Sequence, residues 1–196
     1  MPYEHGVHTF FCEPTGRERQ YLRRFVFSTN AKCPSPHGYH NARTFLKDDD
    51  ETKDVVTWPH ADKRWPTHCA GCDYKFTDDD QWQVFRETIY VRTDTRTPVL
   101  RSENIPGMMW NAHWLGRKGP DGRALIVLLP NGKEWAIDQR SSNCTLTKDT
   151  NHRCWIRKGE PPNITVSKDG ITCQAGAGSI QAGDYHGFLR NGIFEP

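Results

Sequence analysis

The residues best suited to chemistry lie in "PTHCAGCDYKF" (66–76), where Cys69 and Cys72 are held two residues apart and His68 precedes them. A C-x-x-C pair can serve as a redox dithiol, as part of a disulfide framework or as half of a metal site. A redox pair usually follows a strand and opens a helix whose N-terminus lowers a thiol pKa. The "DYKFTDDD" that follows is not a helix start. Zinc takes four soft or borderline ligands at tetrahedral corners, and a tight C-x-x-C turn supplies two of them. Thirty residues upstream, "CPSPHGYH" (33–40) offers Cys33, His37 and His40. The expected structural zinc site is therefore Cys33, His40, Cys69 and Cys72, with His37 as the alternative imidazole and His68 the less favoured one. Unliganded buried thiols are the bland reading of the same residues.

A second group, Cys144, His152, Cys154 and Cys173, lies in "SSNCTLTKDTNHRCWIRKGEPPNITVSKDGITC" (141–173). It has no C-x-x-C anchor. His152 and Cys154 would face one side of an extended chain, because side chains alternate with a period of two. Three readings stay open: a second zinc ion, buried structural Cys and His, or a catalytic cysteine, with Cys144 or Cys154 as nucleophile beside His152 or His186. His186 and His113 sit in aromatic strand segments, where a satisfied core histidine is the commoner role. The glycine-rich "AGAGSI" (175–180) has neither the lysine nor the following helix of a phosphate loop.

The elements that must position these groups read as β-structure. "YLRRFVF" (21–27) is bulky and β-favouring, and "QVFRETIYVRT" (83–93) puts Phe85, Ile89 and Val91 on one parity with Arg86, Thr88 and Arg92 on the other. The preceding "TDDDQW" also suits a short helical cap. "ALIVLLPNGKEWAID" (124–138) is a hairpin about Asn131-Gly132. With "PGMMWNAHWL" (106–115) upstream it makes a three-stranded meander, and "NITV", "ITC" and "YHGFLRNGIFE" add short strands. Residues 28–80 show little regular pattern, and so long a loop needs a tie. The fold class expected is mostly β, in small antiparallel sheets and a meander with long irregular loops, the N-terminal part stapled by zinc. A soft boundary near 94–105 suggests a subdomain over 1–95 and another over 96–196, or one continuous domain.

The chain has 196 residues, long enough for a substantial core, with 11% aromatic residues including seven Trp. Its 26 basic and 24 acidic residues give a net charge of +2, which supplies no global field for nucleic acid or anionic lipid. Basic residues do interleave with rings in "RERQYLRRF", "KRWP" and "HRCWIRK", the pattern of single-strand stacking platforms. No apolar run resembles a signal peptide or reaches the ~20 residues that span a bilayer, so a cytoplasmic setting without membrane is expected. Seven cysteines, an odd number that also includes Cys12, then point to metal binding before disulfides. The sequons at Asn143 and Asn163 carry no weight in that setting.

The motifs "CPSPHGYHNA", "RWPTHCAGC", "DYKF", "HRCWIRKGEPPNITV", "TCQAGAGSI" and "YHGFLRNG" together resemble a group of uncharacterised proteins of tailed bacteriophages and prophages. From "IPGMMW" to "YHGFLRNGIF" the chain also resembles, distantly, a bacterial domain of unknown function that pairs a Cys-rich turn with a terminal hairpin. Here "YHGFLRNG" occupies the hairpin's place, and the Cys-rich turn is not in the corresponding position. The resemblance implies a phage origin, a host-cytoplasm setting with the virion as a further location, and protein partners among virion components. It implies no activity. The functional expectation is a zinc-stabilised accessory or virion-associated binding protein without catalysis. The alternatives are a cysteine- or metal-dependent enzyme using the C-terminal cluster and a single-stranded nucleic-acid-binding module.

Overall fold

The computed structural model describes residues 6–27, 33–34, 38–48, 64–141, 143–149, 152–168, 173 and 178–196, with residues 45–48 described by their backbone alone. The fold is mostly β. In chain order the strands are β1 (Val7–His8), β2 (Phe10–Val26), β3 (His40–Asp48), β4 (Gln81–Arg92), β5 (Pro98–Leu100), β6 (Met108–Asn111) and β7 (Leu125–Leu128). They continue as β8 (Glu134–Ala136), β9 (Ile156–Lys158), β10 (Thr165–Ser167), β11 (Ile180–Ala182), β12 (Tyr185–Arg190) and β13 (Ile193–Glu195). A 3-10 turn, Arg101–Glu103, follows β5. The chain forms two compact units, Met1–Glu13 with Tyr90–Pro196, and Pro14–Ile89. Among the described residues no helix is long and apolar enough to cross a membrane.

In the larger unit β6, β7 and β8 form the antiparallel meander, with Trp110 opposite Ile126 and Val127 opposite Trp135. The start of β2 adds in parallel to β6, Phe10 pairing with Met108. β7 is apolar throughout because both its faces are covered. Leu125 and Val127 enter one core with Phe11, Met109, Ile164 and Phe194. Ile126 and Leu128 enter another with Phe10, Met108 and Trp110. The second sheet of this unit has the order β1-β13-β12-β10-β9, with β11 also on β12. Its terminal hairpin turns on Asn191 and Gly192, at φ 44 and 75°, so the two-residue connection demands the positive φ that Asn and Gly tolerate. The β7–β8 connection is longer, and only Gly132 of the Asn131-Gly132 pair has positive φ.

The smaller unit is built on the far part of β2, against which β3 runs antiparallel from Arg19↔Asp48 to Val26↔His40. β3 lies within the stretch whose sequence shows little pattern, because "HNARTFLKD" lacks alternation and takes its conformation from pairing. The register shifts at Gln20/Tyr21. Beyond that bulge, Leu22 and Arg24 point inward, 0 and 2% exposed, while Tyr21, Arg23 and Phe25 point the other way. Buried Arg24 is held between Trp65 and Phe76, its guanidinium about 5 Å from each ring (5.1 and 5.0 Å), and it donates to the Pro66 carbonyl. Phe76 in turn packs against the cysteines of the first cluster.

One buried polar knot holds the meander. Asp138 accepts the Leu125 amide at 2.9 Å and the Arg157 Nε at 3.0 Å, and Arg157 also donates to Asp121. The Arg157 and Asp138 side chains are 1 and 3% exposed. Burial works against the charged guanidinium, but the two carboxylates outweigh it and raise its pKa. Asp138→Ala would leave this charge and the β7 amide short of a partner. The expected loss is about 3–5 kcal/mol in denaturant unfolding, and a loss below about 1 kcal/mol would show that the knot is not structural.

Candidate metal centres

The first centre gathers ligands from a strand end, its preceding connection and a turn. Residues 67–76 form a small hairpin in which Phe76 N donates to Thr67 O and Cys69 N to Tyr74 O, each at 2.9 Å, so Cys69 and Cys72 fall on the turn between. Ala70 N donates to Asn41 O at 2.8 Å, which fastens the turn beside β3. His40 opens β3, and Cys33 precedes it in the β2–β3 connection. Cys33 Sγ lies 3.7 Å from Cys69 Sγ and 3.8 Å from Cys72 Sγ, while His40 Nδ1 lies 3.2 Å from Cys72 Sγ.

These separations have a physical meaning. Sulfurs in a disulfide are about 2.05 Å apart. Ligands about 2.0–2.3 Å from a central tetrahedral ion stand about 3.3–3.8 Å from one another. The sulfur separations match the second geometry. The four ligand atoms all lie within 4.8 Å of one another, and the group could hold a metal ion. Three of the four residues are buried, among Ala42, Phe76, Val26 and Tyr74. The Tyr74 ring stacks on the His40 imidazole at 4.1 Å and fixes its plane. Asn41 N and Gly71 N each donate to Cys69 Sγ from 3.4 Å. The Tyr74 amide pulls the Cys72 thiol pKa down, but lost solvent and the neighbouring sulfurs outweigh it and raise that pKa. His68 lies outside the group, bonded through Nδ1 to Thr67 Oγ1 at 2.9 Å. His37 lies outside the described residues.

The second centre has a different construction. Cys154 is fully buried in the main core, and Cys144 and Cys173 pack against it half-buried. Cys154 Sγ stands 3.6 Å from both His152 Nε2 and Cys173 Sγ. With Cys144 the four ligand atoms again fall within 4.8 Å of one another, so this group too could hold a metal ion. His152 and Cys154 converge although neither lies in a strand: Cys154 sits at a bend, and β9 begins only at Ile156. Arg140 Nη1 organises the loop that carries Cys144 by donating to the Leu146 and Thr147 carbonyls at 3.1 and 2.6 Å. Burial opposes ionisation of Cys154, but Ser141 and the Cys144 and Cys173 thiols outweigh it and set its pKa below the ordinary thiol value. Burial raises that of Cys144. Lys168 Nζ lies 4.0 Å from Cys173 Sγ, a cation suited to a thiolate-rich site.

Comparison of the chain with protein families, curated proteins and solved structures finds no match. His186 does not belong to the second group; it lies on β12, its Nε2 2.8 Å from Ser179 Oγ. Cys12 is isolated from both clusters, and burial pushes its thiol up to about 12, which keeps it unreactive. His152 also borders a cavity of about 360 Å³ with Pro120, Asp138, Arg153 and Trp155. The feature least visible in the sequence is the arrival of Cys173, which no local spacing announces.

Elemental analysis of purified protein is expected to give two metal equivalents per chain. Cys69→Ser and Cys154→Ser should each reduce this to one. Retention of both equivalents by either variant would remove that cysteine from the ligand set.

Proposed function

We propose that both clusters are structural zinc sites and that the chain is a zinc-stabilised, β-rich binding protein without catalysis of its own. The observation that carries this reading is the donor set, three thiols and one imidazole at tetrahedral separations, in each cluster. Cys₃His is a ligand combination of closed structural zinc, whereas catalytic zinc keeps a position for water or substrate. Softness of the sulfurs disfavours magnesium and calcium, which take oxygen ligands. The first ion would tie the β2–β3 connection to the 67–76 hairpin, and the second would tie Cys144 and Cys173 to the core through Cys154. The motif resemblance to phage and prophage proteins supports an accessory or virion-associated role in a host cytoplasm, with virion proteins as partners. An enzyme built on Cys144, Cys154 and His152 would need one of these thiols exposed and unliganded, and four converging ligands leave none.

Zinc is expected as the bound metal. Stripping it with a chelator at neutral pH should lower the melting temperature by about 8–16 °C, as removal of a ligand present at ~1,000-fold its dissociation constant would. Zinc-free protein that melts unchanged would overturn the structural reading. Preferential alkylation of Cys144 or Cys154 in the metal-loaded protein would instead support the enzyme.

A further inference from the structure

We infer that the cavity bordered by His152 binds a small molecule that joins a flat or apolar body to one carboxylate or phosphate group, with the Arg153 guanidinium as the anchor of the anion. The cavity holds about 360 Å³ and lies wholly within the larger unit. Pro120, Trp155 and Ile156 supply its apolar lining, and Asp138, Arg153 and Arg157 its charged lining. Its volume falls at the small end of the ~300–1,000 Å³ range of ligand sites. The inference goes beyond the zinc reading and does not depend on it, because Asp138 and Arg157 hold each other and Trp155 belongs to the main core.

The walls are formed in advance. Residues 119–123 make a turn in which Gly119 N donates to Arg123 O at 2.7 Å and Gly122 N to Gly119 O at 3.1 Å. The Arg157 guanidinium presses on Gly119 so closely that a Cβ there would collide with it, an approach that glycine permits. Arg157 also donates to the Asp121 carboxylate and, at 3.2 Å, to the Arg123 carbonyl. Arg153 Nη1 holds the neighbouring Lys118 carbonyl at 2.6 Å. Two arginines thus fix the turn that carries Pro120, and a ligand has little left to order.

The charges of the wall point to an anion. Arg157 is satisfied by Asp121 and Asp138. Asp138 is occupied in turn by the Leu125 amide and Arg157 Nε, which argues against a cation as ligand. Arg153 differs: among the described residues its guanidinium has the Lys118 carbonyl as its one hydrogen-bond partner and no carboxylate in ion-pair reach. Most of its five N–H donors are therefore free. Arg117 and Lys118, beside the same turn, bond to Gln139 Oε1 and the His113 carbonyl and likewise have no ion pair among the described residues. Arg117 Nε is buried without a partner. An arginine on open surface would be satisfied by water, but this one stands at a formed cavity with apolar walls. A free guanidinium fork matches the paired oxygens of a carboxylate or phosphate, and the apolar lining beside it suits the body that carries them.

The test is isothermal titration calorimetry of the full chain with benzoate, phenyl phosphate and, as the neutral comparison, benzyl alcohol, the zinc content being measured in the same samples. Saturable binding of at least one anion is expected, with a dissociation constant of about 1 mM or below. Whichever anion binds tighter identifies the oxyanion. Benzyl alcohol should bind about tenfold more weakly or worse, the effect of losing a charge-assisted contact. Arg153→Gln, whose amide can still reach the Lys118 carbonyl, should lose about tenfold for the anions and nothing for benzyl alcohol. Arg190→Gln, which removes a surface arginine paired with Glu195 on the terminal hairpin, should bind as the parent does. Both variants should keep the parent's melting temperature. Failure of both anions to bind, or equal binding of all three probes, would overturn the site whatever the variants do. Parent-like binding by folded Arg153→Gln, or an equal loss in Arg190→Gln, would also overturn it, by placing the anion elsewhere on a basic surface. Zinc-free protein that binds the anions would sink the zinc reading alone.

Discussion

Three thiols and an imidazole crowded within 4.8 Å are hard to explain without a charge at their centre, and the smaller unit is arranged around such a group. Lost solvent and the neighbouring sulfurs oppose ionisation of Cys72. A divalent cation reverses that balance, since it stabilises each thiolate it binds. The unit's own apolar clusters are small, Leu22 with Trp65 in one and Cys33, Ala42, Cys69 and Phe76 in the other. The cysteines themselves make up half of the second cluster.

The larger unit is held differently. β7 buries both faces, and the Asp138 carboxylate pins its first amide while pairing with Arg157. Cys154 belongs to this core whether or not a metal is present, and its ligand partners reach it from flanking loops. The two centres thus differ in what they add. An ion in the first would substitute for a core, and one in the second would attach loops to a core already formed.

Much of this was legible in the sequence where local chemistry decides the outcome. The strand over 83–93, the meander over 108–138 and the Asn191-Gly192 turn are each present in the fold, but the alternation expected in 83–93 is not, because Val84 and Tyr90 enter the cores from the parity opposite to Phe85. The first Cys/His group was legible because C-x-x-C is a local signature and Cys33 with His40 lies one loop away. Tertiary effects were less visible. The N-terminal part of β2 carries Pro14 and Gly16, which argue against a strand, yet Phe10, Phe11 and Cys12 pair in parallel with β6, a partner about 100 residues distant. β3 lacks any pattern of its own and is extended because β2 is beside it. Cys173 joins the second group through the packing of the main core, for which no spacing rule exists.

The division of the chain also sets an order on its synthesis. Pro14–Ile89 is continuous and has its last proposed ligand once Cys72 has been made, so it can close on its metal while the rest is still being translated. The larger unit cannot. Its β1 pairs with β13, and the start of β2 waits for β6. During that interval Phe10 and Phe11 have no sheet to enter, so early closure of the smaller unit would shorten the length of chain left exposed to aggregation before the final strand arrives.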